Sequence, residues 1–221
     1  MISVALDRPW LRARLPHPMR VLSWAPVNPG YQITDQILWR EVRNADLTPD
    51  FDAIRWFADQ IAGQAPGAVG LLTSRDVGTW VEARARVQGI TAHAIATVGL
   101  SNAESVGTRL PYHPADYGTI NVAVAVDVGL SEIAQLEALS IAVQARTAAV
   151  MAGGMTLATG VATGTGTDCL ALACNVGDGC FAGLHTAVGE AVGAATRNAV
   201  ATGVSNWQAW FHAEMRHRGL A

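Results

Sequence analysis

Hydrophobic positions change period along the chain, and the changes predict its elements. Apolar and polar residues alternate from Ile2 to Leu15 and from Met19 to Trp24 as in strands, with Pro16 and Pro18 marking a break between them. Gly30 to Val42 alternates enough to be another strand. Thr48-Pro49-Asp50 then opens a helix in which Phe51, Ile54, Phe57, Ala58 and Ile61 recur at helical spacing until Gly63. Ala68 to Thr73 reads as a short buried strand closed by the polar turn Ser74-Arg75-Asp76. Residues 80 to 100 read as two strands broken at Gly89, the second ending in Gly99-Leu100-Ser101-Asn102.

The second half is more apolar. Thr119 to Val128 is β-rich and nearly continuous in hydrophobicity, the pattern of a central strand covered on both faces. Ser131 caps a long helix with Glu132 in its first turn, an apolar stripe of Ile133, Leu136, Leu139 and Val143, and a stop at Gly153-Gly154. Leu157 to Ala173 forms two strands, or one long bent strand interrupted by a glycine loop. An alanine-rich helix follows from about Leu184 to Ala201, and a last one begins near Asn206. With no repeat or low-complexity linker, residues 1–221 are expected to form a single domain of the α+β class. Its mixed, mainly antiparallel sheet is packed by three or four helices.

Composition narrows the function. Half of the 221 residues are hydrophobic, 15% are charged and the formal charge is −3, so no electrostatic footprint for nucleic acid is expected. All 15 basic residues are arginine, which removes a lysine Schiff base, a lysine general base and the lysine of a P-loop. The first 20 residues lack a basic start followed by an apolar core, and no apolar run approaches the ~20 residues of a membrane span. Cys169, Cys174 and Cys180 are odd in number and clustered, which implies neither a disulfide framework nor a metal knuckle. These features predict a cytoplasmic protein without membrane, nucleic-acid or metal partners.

Chemistry concentrates in Ala162-Thr163-Gly164-Thr165-Gly166-Thr167-Asp168-Cys169. Glycines let this backbone approach a ligand closely, threonines project hydroxyls, and the intervening amides can form an anion-binding concavity. A glycine turn with threonines on a strand is the bland alternative. A phosphate-binding enzyme ranks last, because the P-loop lysine and the GxGxxG spacing are both missing. His212 and His217 are five apart with Glu214 between them, so they do not match HExxH. Trp207, Trp210 and Phe211 read as the buried side of the last helix, and they could also cover a partner subunit in a homo-oligomer.

Several ordered motifs together resemble one family. They are Val21-Leu22-Ser23-Trp24-Ala25-Pro26, Thr97-Val98-Gly99-Leu100-Ser101-Asn102-Ala103, Gly118-Thr119-Ile120-Asn121, and Glu137-Ala138 through Ala145-Arg146-Thr147-Ala148-Ala149. The glycine-threonine loop and Gly183-Leu184-His185-Thr186-Ala187-Val188-Gly189-Glu190 complete the set. In order and spacing they resemble the adenosylcobinamide amidohydrolases. The resemblance implies hydrolysis of the amide joining the corrin ring to the aminopropanol arm, giving adenosylcobyric acid and aminopropanol for corrinoid salvage into coenzyme B12. It also implies a small-molecule corrinoid partner and no cofactor, the cobalt being carried by the substrate. Two departures, Ser23-Trp24 with Asn28-Pro29-Gly30 and Trp39-Arg40-Glu41-Val42, bear on the binding role of the first hairpin.

Amide hydrolysis needs activated water or a nucleophile, a proton donor for the departing amine, and donors for the oxyanion. Asp168 and His185 are the expected acid–base pair, with Thr167 as a further catalytic candidate. Gly164 and Gly166 would turn amides towards the tetrahedral intermediate, while Thr163 and Thr165 contact the propionamide fringe. Ser23, Ser101, Asn102 and Asn121 are the other expected substrate-binding residues, suited by donors and acceptors to an amide-rich corrin rim. Glu190 is a secondary candidate, and Cys169 fits a small buried hydrophobe better than a nucleophile. A non-catalytic corrinoid-binding module would use the same residues without cutting.

Overall fold

The computed structural model describes residues 1–43, 51–111 and 118–219, so the expected helix start at Thr48-Pro49-Asp50 lies outside the described residues. The fold is α+β, built on a mixed, mainly antiparallel eight-stranded sheet. β1 (Ser3–Asp7) and β2 (Trp10–Ser23) form a hairpin, and β2 pairs antiparallel with β3 (Gly30–Glu41). β4 (Val69–Thr73) lies parallel to β3, and α1 (Ala53–Gln64) makes the crossover that a parallel pair requires. The hairpin β5 (Val81–Val87) and β6 (Ile90–Val98) turns at Gln88 and Gly89, both at positive φ, and β6 pairs antiparallel with β8 (Ile120–Leu130).

The second crossover matters most for the site. α2 (Glu132–Ala152) joins β8 to its parallel neighbour β12 (Cys169–Val176), and β12 pairs antiparallel with β2 on its other side. Between α2 and β12 run three two-residue strands. β9 (Thr156–Leu157) pairs with β10 (Gly160–Val161), and β11 (Gly164–Thr165) pairs with β7 (Ala103–Glu104). α3 (Ala187–His217) closes the described chain.

The sheet is curled. In the order β4-β3-β2-β12-β8, strands β4 and β8 would stand about 19 Å apart if flat, yet Asn121 Nδ2 on β8 donates to Leu72 O on β4 at 2.8 Å. Val21, Ile37, Leu71, Ile95, Ala123 and Ala171 fill the inside of the curl. α2 and α3 cover the outside of β5, β6, β8 and β12 over Val122, Val124, Leu170, Ala191 and Val200, and α1 packs Phe57 and Ile61 under Trp10 and Leu38. No helix among the described residues is long and apolar enough to cross a membrane.

Four sequence expectations change. The break expected at Pro16 and Pro18 is a register shift inside β2, between Arg14 and Met19 against β3, while the true turn falls at Arg8-Pro9. Prolines cannot donate to a ladder, and an irregularity accommodates them without ending the strand. The stripe predicted on α2 faces the wrong way at two positions: Ile133 is 77% exposed and Leu136 53%, because smaller residues such as Ala134, Ala138 and Ala142 make the close approach to the sheet. The two late helices are one helix of 31 residues. Trp207 is buried with Phe211 stacked on it, but Trp210 stays 46% exposed.

Candidate active site

The loop between β11 and β12 is folded around a single carboxylate. Asp168 Oδ1 accepts from Ile120 N at 2.9 Å and from the Thr165 hydroxyl at 2.5 Å, and Oδ2 accepts from Thr165 N at 3.0 Å and from Arg146 Nη1. A carboxylate offers about four lone-pair sites, so all are engaged. The ion pair is buried, with 5% of the Asp168 side chain and 12% of Arg146 accessible. Burial pushes the Asp168 carboxyl above its usual value, against the opposing pull of Arg146, the Thr165 hydroxyl and the two amides. Gly164 permits the pair to form, because a Cβ there would collide with Arg146 Nη1 and Asp168 Oδ2.

Arg146 belongs to a motif of the resemblance but was not among the expected site residues. The signal was an arginine in an otherwise alanine-rich turn of α2, 22 residues before its partner.

The loop forms one wall of a cleft of about 580 Å³ at the opening of the curled sheet. Trp24, Leu72, Asn102, Thr119, Asn121 and Thr167 are among its walls. Trp24 extends an indole into the opening and donates Nε1–H to Asp168 O at 2.8 Å. The Thr167 hydroxyl donates to Gly118 O at 3.0 Å, and Thr119 Oγ1 donates to Thr167 O at 2.9 Å. Asn102 stands between two glycines: a Cβ on Gly118 would lie 2.9 Å from Asn102 Oδ1, and one on Gly166 would lie 4.0 Å from Nδ2. Asn102 lines both this cleft and a smaller one of about 250 Å³, and its Oδ1 is buried without a partner.

The structure brings Asp168, Thr167, Gly166, Asn102 and Asn121 together and places Ser101 on two adjoining clefts. Other expected residues face elsewhere. Ser23 is buried, its hydroxyl donating to Leu170 O at 2.7 Å and accepting from Ala25 N at 3.0 Å. Thr163 Oγ1 accepts from Val106 N at 2.8 Å and helps to fix the loop after β7. Thr165 holds Asp168, and Asn121, although on the cleft wall, also ties β8 to β4.

His185 is not brought to Asp168. It is exposed in the turn before α3, beyond the far end of β12. The neighbouring Ala182 N donates to Glu137 Oε2, two and a half turns before Arg146 and about 14 Å away along α2. Glu190 is exposed in the first turn of α3, on the same side.

Cys169 is buried beside Ser23, and burial pushes its thiol up to about 12, so it is no thiolate near neutral pH. Among the described residues, no group of three or more His, Cys, Asp and Glu side chains is arranged to hold a metal ion. The cleft sets Gly166, Thr167 and the Asn102 and Asn121 carboxamides beside the apolar walls of Trp24 and Leu72, groups able to hydrogen-bond an amide.

No curated protein matches the chain. Among solved structures, the crystal structure of the PH0078 protein from Pyrococcus horikoshii OT3 aligns with 90% of this chain and 77% of that one, at 12% identity and a TM-score of 0.43. The adenosylcobinamide amidohydrolase (CbiZ) family model matches residues 2–211, a span that includes the Asp168 loop, Asn102 and the His185 turn. This chain belongs to the adenosylcobinamide amidohydrolase family.

Proposed function

We propose that the chain hydrolyses the amide between the corrin ring and the aminopropanol arm of adenosylcobinamide, releasing adenosylcobyric acid and aminopropanol for return to coenzyme B12 synthesis. The observation that carries this reading is the cleft beside the Asp168 loop, which Asn102, Gly166 and Thr167 line together, with Asn102 Nδ2 on the Gly166 side. The corrinoid brings its own cobalt as part of the substrate, and hydrolysis calls for no resident cofactor.

In this reading the arm enters the cleft and the corrin face rests against Trp24. Water adds to the amide carbon, the carbonyl oxygen takes the negative charge, and a proton from that water passes to the nitrogen as the C–N bond breaks, leaving the carboxylic acid and the free amine. The Nδ2 donor of Asn102 and the backbone amides of Gly166 and Thr167 stabilise that oxygen. The Thr167 hydroxyl, held by Gly118 O, positions the water or the amide edge. Asp168 acts as a positioning residue: with all of its lone pairs engaged, it fixes the loop that carries these donors. His185 is no part of the wall of this cleft.

The test is direct. Purified protein incubated with adenosylcobinamide should give adenosylcobyric acid and free aminopropanol on chromatography. Ligand that stays bound and uncleaved would favour the non-catalytic corrinoid-binding module instead.

A further inference from the structure

Beside the reaction cleft lies a third opening, of about 370 Å³, which shares Ser74 and Gly118 with it. Its one cationic wall residue is Arg75, on the polar turn after β4. The guanidinium lies over the Trp210 indole, 4.7 Å from the ring centroid. Among the described residues it makes no ion pair, and its Nε is buried without a hydrogen-bond partner. An unpaired donor in so enclosed a position costs free energy unless something else occupies it.

The nearby acids line the same opening, and Asp76 attracts the Arg75 charge, but neither acid hydrogen-bonds it. Asp76 Oδ1 is bonded to Arg8 at 2.6 Å and to Gly78 N at 2.7 Å, and Glu41 Oε2 accepts from Val77 N at 3.1 Å with Arg8 at 3.8 Å. Two carboxylates thus share Arg8 and backbone amides, while Arg75 keeps its fork of donors open. The side chains of Ser74 and Ser101, on the same opening, also make no hydrogen bond among the described residues. Gly118 leaves the floor between them clear, since a Cβ there would come within 2.8 Å of Ser101 N.

We infer that Arg75, with the hydroxyls of Ser74 and Ser101, forms an oxyanion subsite that takes a phosphate group next to the scissile-bond cleft. A planar guanidinium held against an indole is pre-organised for a tetrahedral oxyanion, and two hydroxyls add short donors. The phosphate can arrive free or as an ester on the hydroxyl of the departing aminopropanol arm. Only the second source rests on the reaction proposed above.

The full chain is titrated with inorganic phosphate and, separately, with 1-aminopropan-2-yl phosphate. Tryptophan fluorescence reports through Trp210, and phosphorus NMR line broadening reports without it. Wild type should bind at least one of the two with a dissociation constant below about 10 mM. Arg75→Gln should weaken that binding at least about tenfold, and Arg75→Lys should fall between, keeping charge but losing the fork. If Arg75→Gln does not fold, Ser101→Ala at an exposed position should still weaken binding about threefold or more. Tighter binding of the ester identifies the arm as the source, and equal binding identifies free phosphate. Failure of wild type to bind either compound, or equal binding by wild type and Arg75→Gln, overturns the subsite. Cleavage of adenosylcobinamide by the same preparation separates the two ideas, because turnover without phosphate binding removes only the subsite. Phosphate binding without turnover removes only the proposed reaction.

Discussion

Asp168 accepts four hydrogen bonds in a nearly closed site, and this decides what its replacement should do. Asp168→Asn substitutes a donor for one acceptor oxygen and leaves the buried Arg146 charge uncompensated, a change that costs about 3–5 kcal/mol in buried pairs. The variant should melt well below wild type, and kcat should fall with it, because the donors of Gly166 and Thr167 lose their fixed position. Asp168→Asn combined with Arg146→Gln should regain stability without regaining turnover. Recovery of both would place Asp168 outside the reaction. The cysteines offer a simpler check on local environment. Cys169 and Cys174 are buried, and burial raises both thiols, whereas Cys180 is exposed. Iodoacetamide at neutral pH should therefore label Cys180 alone in the native protein, as read by mass spectrometry. The glycine-threonine pattern pointed to Asp168 in the sequence. It could not point to Arg146, which reaches it from another element only after the fold has formed.

At the scale of elements, strands with strong periodicity were legible and their partners were not. The alternation of β3 and the apolar run of β8 identified both strands, but that β4 would close on β8 depends on sheet curvature, which no local pattern encodes. α3 reads as two helices in the sequence, and Gly203 and Ser205, between them, are weaker helix formers than their alanine-rich surroundings. In the structure Gly203 sits where a Cβ would strike Val98 on β6, so contact with the sheet requires it. Gly203→Ala should thus destabilise the protein despite gaining about 1 kcal/mol of helix propensity, since overpacking costs about 1–3 kcal/mol. Higher stability in urea unfolding would mean that α3 can lift off the sheet. The β5–β6 hairpin carries a pH response. His93 is fully buried on β6 with Nε2 2.7 Å from Glu82 Oε2, and burial pushes its imidazole below 6.5 despite that partner. A depressed folded value means that the unfolded chain takes up the proton first as pH falls. The stability held above about pH 6.5 is then lost on acidification towards the folded value. His93→Gln should flatten the fall in unfolding free energy between about pH 7 and 5, and an unchanged slope would assign the loss to other groups.

The whole molecule has two chemically different ends. One holds the joined clefts around Gly118, and the other presents His185 beside the exposed Ile133, Phe181 and Leu184. The family motifs in the sequence ran through both without revealing that β12 separates them. The first end is tied across the seam by Asn121, which is fully buried and donates to Leu72 O, with its Oδ1 3.3 Å from Thr119 Oγ1. Thr119 in turn holds Thr167 O, so closure of the sheet and placement of the loop are mechanically linked. Asn121→Leu is nearly isosteric but removes the donor, leaving a buried carbonyl unpaired at a cost of about 1–3 kcal/mol. Because the seam borders the cleft, the expected kinetic signature is a rise in KM larger than the fall in kcat, together with lower stability in urea. Loss of stability with unchanged KM would mean that the seam supports the fold but does not shape the substrate site. A fall in kcat alone would place Asn121 among the groups that meet the transition state.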